Sequence, residues 1–504
     1  MKATVRIASL ILILCMFFAL SAILVGAEGE DAPAAPEVWD GSADTSWYDP
    51  NSTDKTVTLM NARQLAGLSE LSKTVNFYEW TIKLGADIVL NTGSAADWAQ
   101  TAPANSWTPI SEFWGTFDGQ GYTVSGLYFN DDTAYEVGLF ARLNGGTVRN
   151  VSVVNSYLCG KYQVGAIAGI IVTVYGTVEN VYSDAILYAY PCSGGNIHDG
   201  AQVGGIVGAN TAQYSTVSNC WFDGKAIGIS DPDPEKPGDF SHDNQSSQVG
   251  GILGVGTNSS IIKDCLVTAY AEGASQVGGI VGRLIASNEH VIENCLFLGK
   301  IHLTRWTGNR TFAGEFVGIA FNGVGLTIKN CFGLDTYEAT YGAENADKTD
   351  AKSAYSSNGN ANLTADSAFG RLPLADLTSA AAKTKLAGFD FETVWLQEDG
   401  KTPRLTSLAY IAEHKTSGQD PKDPNEKPDD PKPPVSTTEG PTEPPTTPQE
   451  KPTGAPTDTE PTPAGTTEEP KNDKGCASSL SGVAIICLPV LGVLVGVKLK
   501  KKED

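Results

Sequence analysis

The sequence is poor in the groups that most hydrolytic enzymes rely on. It has five histidines, His198, His242, His290, His302 and His414, and none falls in an HExxH pattern, so the helix-borne zinc centre of a metalloprotease has no residues to build it. No Gly-x-Ser-x-Gly turn lies between a strand and a helix, which removes the nucleophile elbow. His198 in NIHDG and His242 in FSHDN each neighbour an aspartate, but both sit in polar insertions and read as solvated loop residues. Basic charge is also scarce: 35 Lys and Arg stand against 58 Asp and Glu, giving a net charge of −23 and a pI near 4.6. Such a surface repels phosphate backbones and argues against nucleic acid as a partner. Between about residues 100 and 335 there is no periodic array of helix formers.

What is present begins with an apolar run from Ile7 to Val25 behind Lys2 and Arg6, followed by Gly26 and Ala27. This pattern predicts a secretory signal peptide over 1–27, with a lead-in over 28–54. A second apolar run, 477–497, is closed by KLKKKED. Its 21 residues would span a ~30 Å hydrocarbon core as a helix, and the trailing lysines would mark the cytoplasmic side. The expectation is a transmembrane helix over 476–497 with a basic tail over 498–504. No LPxTG precedes that run (LPVLG at 488–492 lies inside it), so sortase attachment is not supported. Residues 414–474 hold 15 of the 27 prolines and almost no large apolar side chains. A disordered Pro/Thr-rich linker over 410–475 follows, able to hold the outer domain up to ~190 Å from a bilayer.

The middle of the chain repeats itself. TVRNV (147–151), TVENV (177–181), TVSNC (216–220), IIKDC (261–265), VIENC (291–295) and TIKNC (327–331) alternate with EVGLFAR (136–142), QVGAIAG (163–169), QVGGIVG (202–208), QVGGILG (248–254), QVGGIVG (276–282) and EFVGIAF (315–321). Aligned on Asn150, Asn180, Asn219, Asp264, Asn294 and Asn330, the spacing is 30 to 45 residues, the period of a stacked-repeat protein. The unit is rich in Val, Ile, Gly and Thr, with short period-two runs, so two or three strands per turn stack as parallel sheets. The predicted fold is all-β: a right-handed parallel β-helix over 55–409.

Each column then has a role. Two before the Asn the residue is always Val or Ile and points inward; one before, it is polar and points outward. The Asn sits in a turn, because it tolerates left-handed backbone angles, and its stacked amides can hydrogen-bond from turn to turn. The next column reads Val151, Val181, Cys220, Cys265, Cys295, Cys331. Cysteine exchanging with valine is a small apolar filler. Zinc would need thiolates converging on a point, usually as C-x₂-C pairs, whereas these are strung along the axis ~4.8 Å apart; vertical disulfides stay open as an alternative. Cys159 and Cys192 read as packing residues. At the N-terminal end ARQLAGLSEL (62–71) places Leu65, Leu68 and Leu71 on one side of a short helix that covers the open coil, ahead of first turns at 81–90 and 115–129. At the far end 374–386 and 394–405 predict a helix-plus-strand cap.

The runs WTPIS…GTFDGQGYTVSGLYFN (107–130), VGLFARLNGGTVRNVSVVNS (137–156), the VGGIVG…IENC units and FDFETVWLQEDGKTPRL (389–405) resemble the GLUG-motif bacterial surface proteins. The resemblance spans roughly 55–405. It implies a right-handed parallel β-helix in secreted or anchored proteins, in modules that also accompany IgA-cleaving metalloproteases and are usually accessory. QVGAIAG and FVGIAF depart from the glycine pattern, which predicts less regular turns there.

Two surfaces are candidates for function. The column two after the Asn runs Ser152, Tyr182, Trp221, Leu266, Leu296, Phe332. Alternation turns it outward as an apolar stripe, and Tyr182, Trp221 and Phe332 are the predicted ligand-binding residues, suited to sugar faces. Asp184 and Asp223 share a column four after the Asn and would be the acid/base or Ca²⁺-binding pair of a polysaccharide-degrading β-helix enzyme; Thr268 and Leu298 continue that column, so solvated surface acids are the plainer reading. FDGQGY (117–122) reads as a tight turn rather than a calcium loop. The expected function is display of a β-helix on a bacterial cell surface for adhesion or glycan or protein binding. The alternatives are the enzyme and a passive surface component, and no catalytic residue, metal or cofactor is predicted.

Overall fold

We describe a computed structural model, over residues 37–190, 200–229, 247–285, 289–304, 312–321, 324–341, 355–358, 362–364 and 366–408. The signal peptide, linker, membrane span and basic tail expected above lie outside the described residues, as do Cys192, His198, His242 and His414. Among the described residues no helix is long and apolar enough to cross a membrane.

The repeats stack. Four parallel sheets run along the repeats, one more than the two or three strands per unit that the sequence suggests, because the VGG phrase bends the chain and splits one expected strand into two. The first sheet carries the Asn phrase: Thr147–Val154, Thr177–Ser183, Ser215–Phe222, Ser260–Lys263, Glu289–Glu293 and Gly325–Leu334 lie side by side. The second runs from Tyr128–Asn130 to Thr340–Tyr341, the third from Glu136–Val137 to Phe312–Gly314, and the fourth from Phe140–Asn144 to Tyr355–Asn358. All pairings in these four sheets are parallel, the arrangement of a β-solenoid.

Like residues form vertical files. Thr147, Thr177 and Thr216 are partners, as are Val148, Val178 and Val217, and the file continues through Ile262, Ile292 and Ile328. Those Val and Ile side chains are buried in one continuous core, with Val151, Val181 and the four cysteines beside them. The QVGAIAG turn keeps register with its successor, Gln163 to Gln202 and Gly165 to Gly204. The EFVGIAF turn does so on one side only, and its register shifts between Val317 and Ala320 on the other.

The Asn column adopts the backbone that the sequence predicts. Asn150, Asn180, Asn219, Asp264, Asn294 and Asn330 all have φ between 50° and 55°. Their amides climb the coil: Asn150 donates to Asp118 (2.9 Å), Asn180 to Asn150 (2.8 Å), Asn294 to Asp264 (3.1 Å) and Asn330 to Asn294 (3.1 Å). The ladder breaks at Asn219, whose Oδ1 is buried without a partner. Burial also raises the Asp264 pKa, the Asn294 amide only partly offsetting it.

A helix over Ala62–Leu71 closes the N-terminal end, with Leu65 and Leu68 fully buried and Leu71 partly so. Asn61 caps it by accepting from Gln64 N (3.1 Å), and Gln64 returns the bond by accepting from Met60 N (2.7 Å). The lead-in is part of this closure: Trp39 N donates to Val89 O (2.9 Å), and Trp39, Trp47 and Tyr48 pack on the core.

The C-terminal segment departs from expectation. It forms two short helical turns, Leu374–Leu377 and Ala382–Lys385, and an antiparallel pair, Trp395–Leu396 with Arg404–Leu405. It does not plug the end of the coil. It runs back along the flank, from Gly388 against Asn330 to Ser407, whose hydroxyl hydrogen-bonds Asn180.

Replacing Asn294 separates backbone angle from amide ladder. Asn294→Val should lower the unfolding free energy by about 2–4 kcal/mol, since a β-branched residue resists positive φ and both ladder bonds go. Asn294→Gly should lose about half of that. Equal losses in urea titrations would show that the angle contributes nothing.

Candidate functional site

The predicted stripe exists, but it is not open. Tyr182, Trp221, Leu266 and Leu296 stand in register on the outer side of the strand that carries the cysteine file. Tyr182, Leu266 and Leu296 are at most 1% exposed and Trp221 is 5% exposed. Leu377, Leu386, Phe389, Trp395, Leu405 and Leu408 of the returning segment cover them. Phe332 is partly buried against Phe389, ring centroids 6.1 Å apart, and Tyr182 meets Trp221 edge-on at 5.4 Å. Alternation did send the stripe outward; the chain's own C-terminal segment then buried it. Tyr182, Trp221 and Phe332 therefore form an internal seam and are corrected as ligand-binding residues.

Asp184 and Asp223 do fall on adjacent turns, one residue beyond the Ser183–Phe222 partnership. Each is already engaged. Asp184 Oδ1 accepts from Asn155 N (2.7 Å), fixing a left-handed turn with φ 45°. Asp223 Oδ1 accepts from the Thr268 hydroxyl (2.5 Å) and Oδ2 from the Tyr182 hydroxyl (3.4 Å). Thr268 in turn accepts from Trp221 Nε1 (2.9 Å), so this carboxylate orders the seam. Among the described residues no group of three or more His, Cys, Asp or Glu side chains is placed to hold a metal ion. The FDGQGY turn is tight: Asp118 Oδ1 accepts from Gln120 N (3.0 Å), and Arg149 Nε lies 3.0 Å from its other oxygen.

Cys220, Cys265, Cys295 and Cys331 are fully buried, stacked and unbridged. Each thiol donates to the carbonyl two residues earlier in its own strand, at 3.2–3.4 Å. Burial pushes the Cys220 and Cys295 thiols well above the ordinary range, and Cys159 up to about 12, so none of the three is a nucleophilic thiolate at neutral pH.

Sequence reasoning missed two features. One is a cleft of about 310 Å³ near the N-terminal end, lined by Trp39, Trp98, Asn91, Asp97, Thr101 and Asn105 among others. Asn91 and Asn105 hold its walls by bonding backbone carbonyls of Gly126 and Trp39 (2.8 and 2.6 Å). The other is an ion pair between the buried Glu315 Oε2 and the half-buried Arg371 Nε, at 2.8 Å. In earlier turns that column is Gly251 and Gly279, where a Cβ would come within 2.5–2.6 Å of Val267 and Phe297. The large residue changes sides at the last turn: Gly333 follows Phe297, and Glu315 fills the space in front of it. Burial lifts the Glu315 pKa to about 7, and the Arg371 guanidinium pulls it only partly back.

No family model matches the chain. A 174-residue stretch, 34% of the chain, is 29% identical to halomucin of Haloquadratum walsbyi, and the match spans 2% of that protein's length. Among solved structures the chain is similar to the crystal structure of "a putative immunoglobulin A1 protease" from Bacteroides ovatus, with a TM-score of 0.47 and 17% identity over 71% of this chain and 94% of that one.

Two outcomes test this chemistry. Alkylation followed by mass mapping should modify Cys220, Cys265, Cys295 and Cys331 only after denaturation, and Cys265→Val should shift stability by less than about 1.5 kcal/mol, whereas Cys265→Ser costs about 1–3. Glu315 has a folded pKa above its ordinary 4.5, so its contribution is fully present below about pH 4.5 and is lost as pH rises toward about 7. The stability of wild type relative to Glu315→Gln should therefore fall by on the order of 1–3 kcal/mol across that window and stay flat above it. His290 titrates the opposite way, burial having lowered it to about 4, and its contribution cancels in the difference. A difference that rises with pH would show that the Arg371 charge, not burial, governs Glu315.

Proposed function

We propose that the chain is a non-catalytic binding protein of the bacterial cell surface, a right-handed parallel β-helix of the GLUG-motif type that presents its long faces to extracellular glycans or surface proteins. The observation that carries this reading is the unbroken parallel register from Thr56 to Leu334, which fixes surface side chains in rows on a rigid body. Stacked repeats of this kind suit extended ligands, because equivalent positions recur at a constant rise. The engagement of Asp184 and Asp223 in structural hydrogen bonds favours binding over sugar cleavage. The apolar run at 477–497 and the Pro/Thr-rich stretch before it supply an anchor and stalk in this reading, and the run at 7–25 supplies export.

The test is a panel of extracellular polysaccharides and glycoproteins offered to the full-length chain. Retention of at least one without release of reducing ends or unsaturated products is the expected result. Release of such products, abolished by Asp223→Asn, would replace binding with catalysis.

A further inference from the structure

Two tyrosines stand where the backbone is least suited to them. The chain enters the first sheet through a left-handed turn, occupied on successive turns of the coil by Gly145 (φ 67°), Tyr175 (φ 59°) and Tyr214 (φ 57°). The register Thr147–Thr177–Thr216 puts these three in one file, and Asn258 (φ 60°) bends the following turn. Glycine and asparagine are the ordinary occupants of such angles, and a bulky side chain there strains the backbone. The strain is not repaid by burial. Tyr175 is 65% exposed and Tyr214 54%, with Val174 beside them at 44%.

The rings lie nearly parallel, 5.7 Å between centroids and 20° between planes. They are held from below, not from the side: Tyr175 N donates to Gln213 O (2.9 Å), Val174 bridges Gln213, and the Asn258 amide donates to Thr211 O (2.8 Å). The result is a raised two-ring ledge edged by Thr173, Thr211 and Gln213, all exposed. In a chain of net charge −23, residues 170–178, 207–218 and 250–262 contain no charged side chain at all.

We propose that Tyr175 and Tyr214 form a carbohydrate-stacking site for a neutral hexose-based glycan. A pyranose ring has one face made of C–H bonds, which packs on the electron-rich face of a tyrosine. Its hydroxyls, splayed around the rim, meet the amide and hydroxyl side chains at the edge of the ledge. The absence of charge on three consecutive turns selects against uronates and sulfated sugars, which would gain no counter-charge here. The site rests on the binding reading given above and names its ligand class. Unlike the buried seam, these two rings are exposed.

The backbone strain supplies a test in which folding and binding move in opposite directions. Tyr175→Gly and Tyr214→Gly remove an exposed ring and relieve a strained angle, so each variant should unfold at the same temperature as wild type or a higher one. Titration of the full-length chain with neutral oligosaccharides (cellohexaose, laminarihexaose, mannohexaose) and with an acidic control, hexagalacturonate, should show binding of at least one neutral sugar. Each variant should weaken that binding about fivefold to tenfold, and the double variant should abolish it, with hexagalacturonate bound by none. Undiminished binding by the double variant would overturn the ledge while leaving the binding reading intact. Lower melting temperatures for the glycine variants would show that the rings are structural, and a ring-dependent dimer in sedimentation would assign the ledge to a second copy; either result overturns the proposal. If wild type binds no neutral oligosaccharide the ledge proposal also fails, and retention of a glycoprotein partner would then decide whether the broader reading survives.

Discussion

One positive backbone angle, repeated once per turn, holds this molecule in register. Asn150, Asn180, Asn219, Asp264, Asn294 and Asn330 share it within 5°, so the strand on either side leaves in the same direction every time. A parallel sheet tolerates no slip, because a one-residue shift would send every Val and Ile of the inner files to the outside. The angle sets the shape of the turn and the amide ladder ties one turn to the next. Where the ladder lapses, at Asn219, the backbone keeps the angle, and the files on both sides of the break stay aligned.

The same economy explains the interior. With the turn fixed, each column needs only a side chain of suitable size, and Val, Ile and Cys serve interchangeably. Phe222, Val267 and Phe297 can project into the core because a glycine of the VGG phrase stands opposite each. At the last turn the arrangement reverses, and an ionisable residue, Glu315, takes the space. It is tolerated because Arg371 arrives from the next strand, whose other neighbour is the end of the coil.

Much of this was legible from the sequence, and the reason is repetition. Six copies of one phrase turned single-residue guesses into columns, so the inward Val/Ile file, the left-handed Asn and the cysteine filler could each be read off as a pattern. The N-terminal helix was legible from Leu65, Leu68 and Leu71. What was not legible depends on segments that occur once. Nothing in FDFETVWLQEDGKTPRL says whether it seals the end of the coil or lies along its side, and the fate of Tyr182, Trp221 and Phe332 turned on that. Asp184 and Asp223 were correctly placed as neighbours, but the partner of Asp184, Asn155, comes from another column, and Thr268, which continues their own column, gave no sign that its hydroxyl engages Asp223. Tyr175 and Tyr214 escaped notice because tyrosine is a poor sign of a left-handed turn; the signal was their position two residues before the Thr of the Asn phrase's threonine-led copies, where the preceding copy has Gly145.

The returning C-terminal segment has a mechanical consequence. It leaves the coil at the Asn330 level and finishes beside Asn180, so tension carried along the chain from beyond Leu408 enters near the middle of the rod. Such a load cannot peel the final turns away one at a time. It must first slide Phe389, Trp395 and Leu405 lengthwise across Trp221, Leu266 and Leu296, breaking those contacts together. The seam thus acts as a shear clamp between the returning segment and the coil.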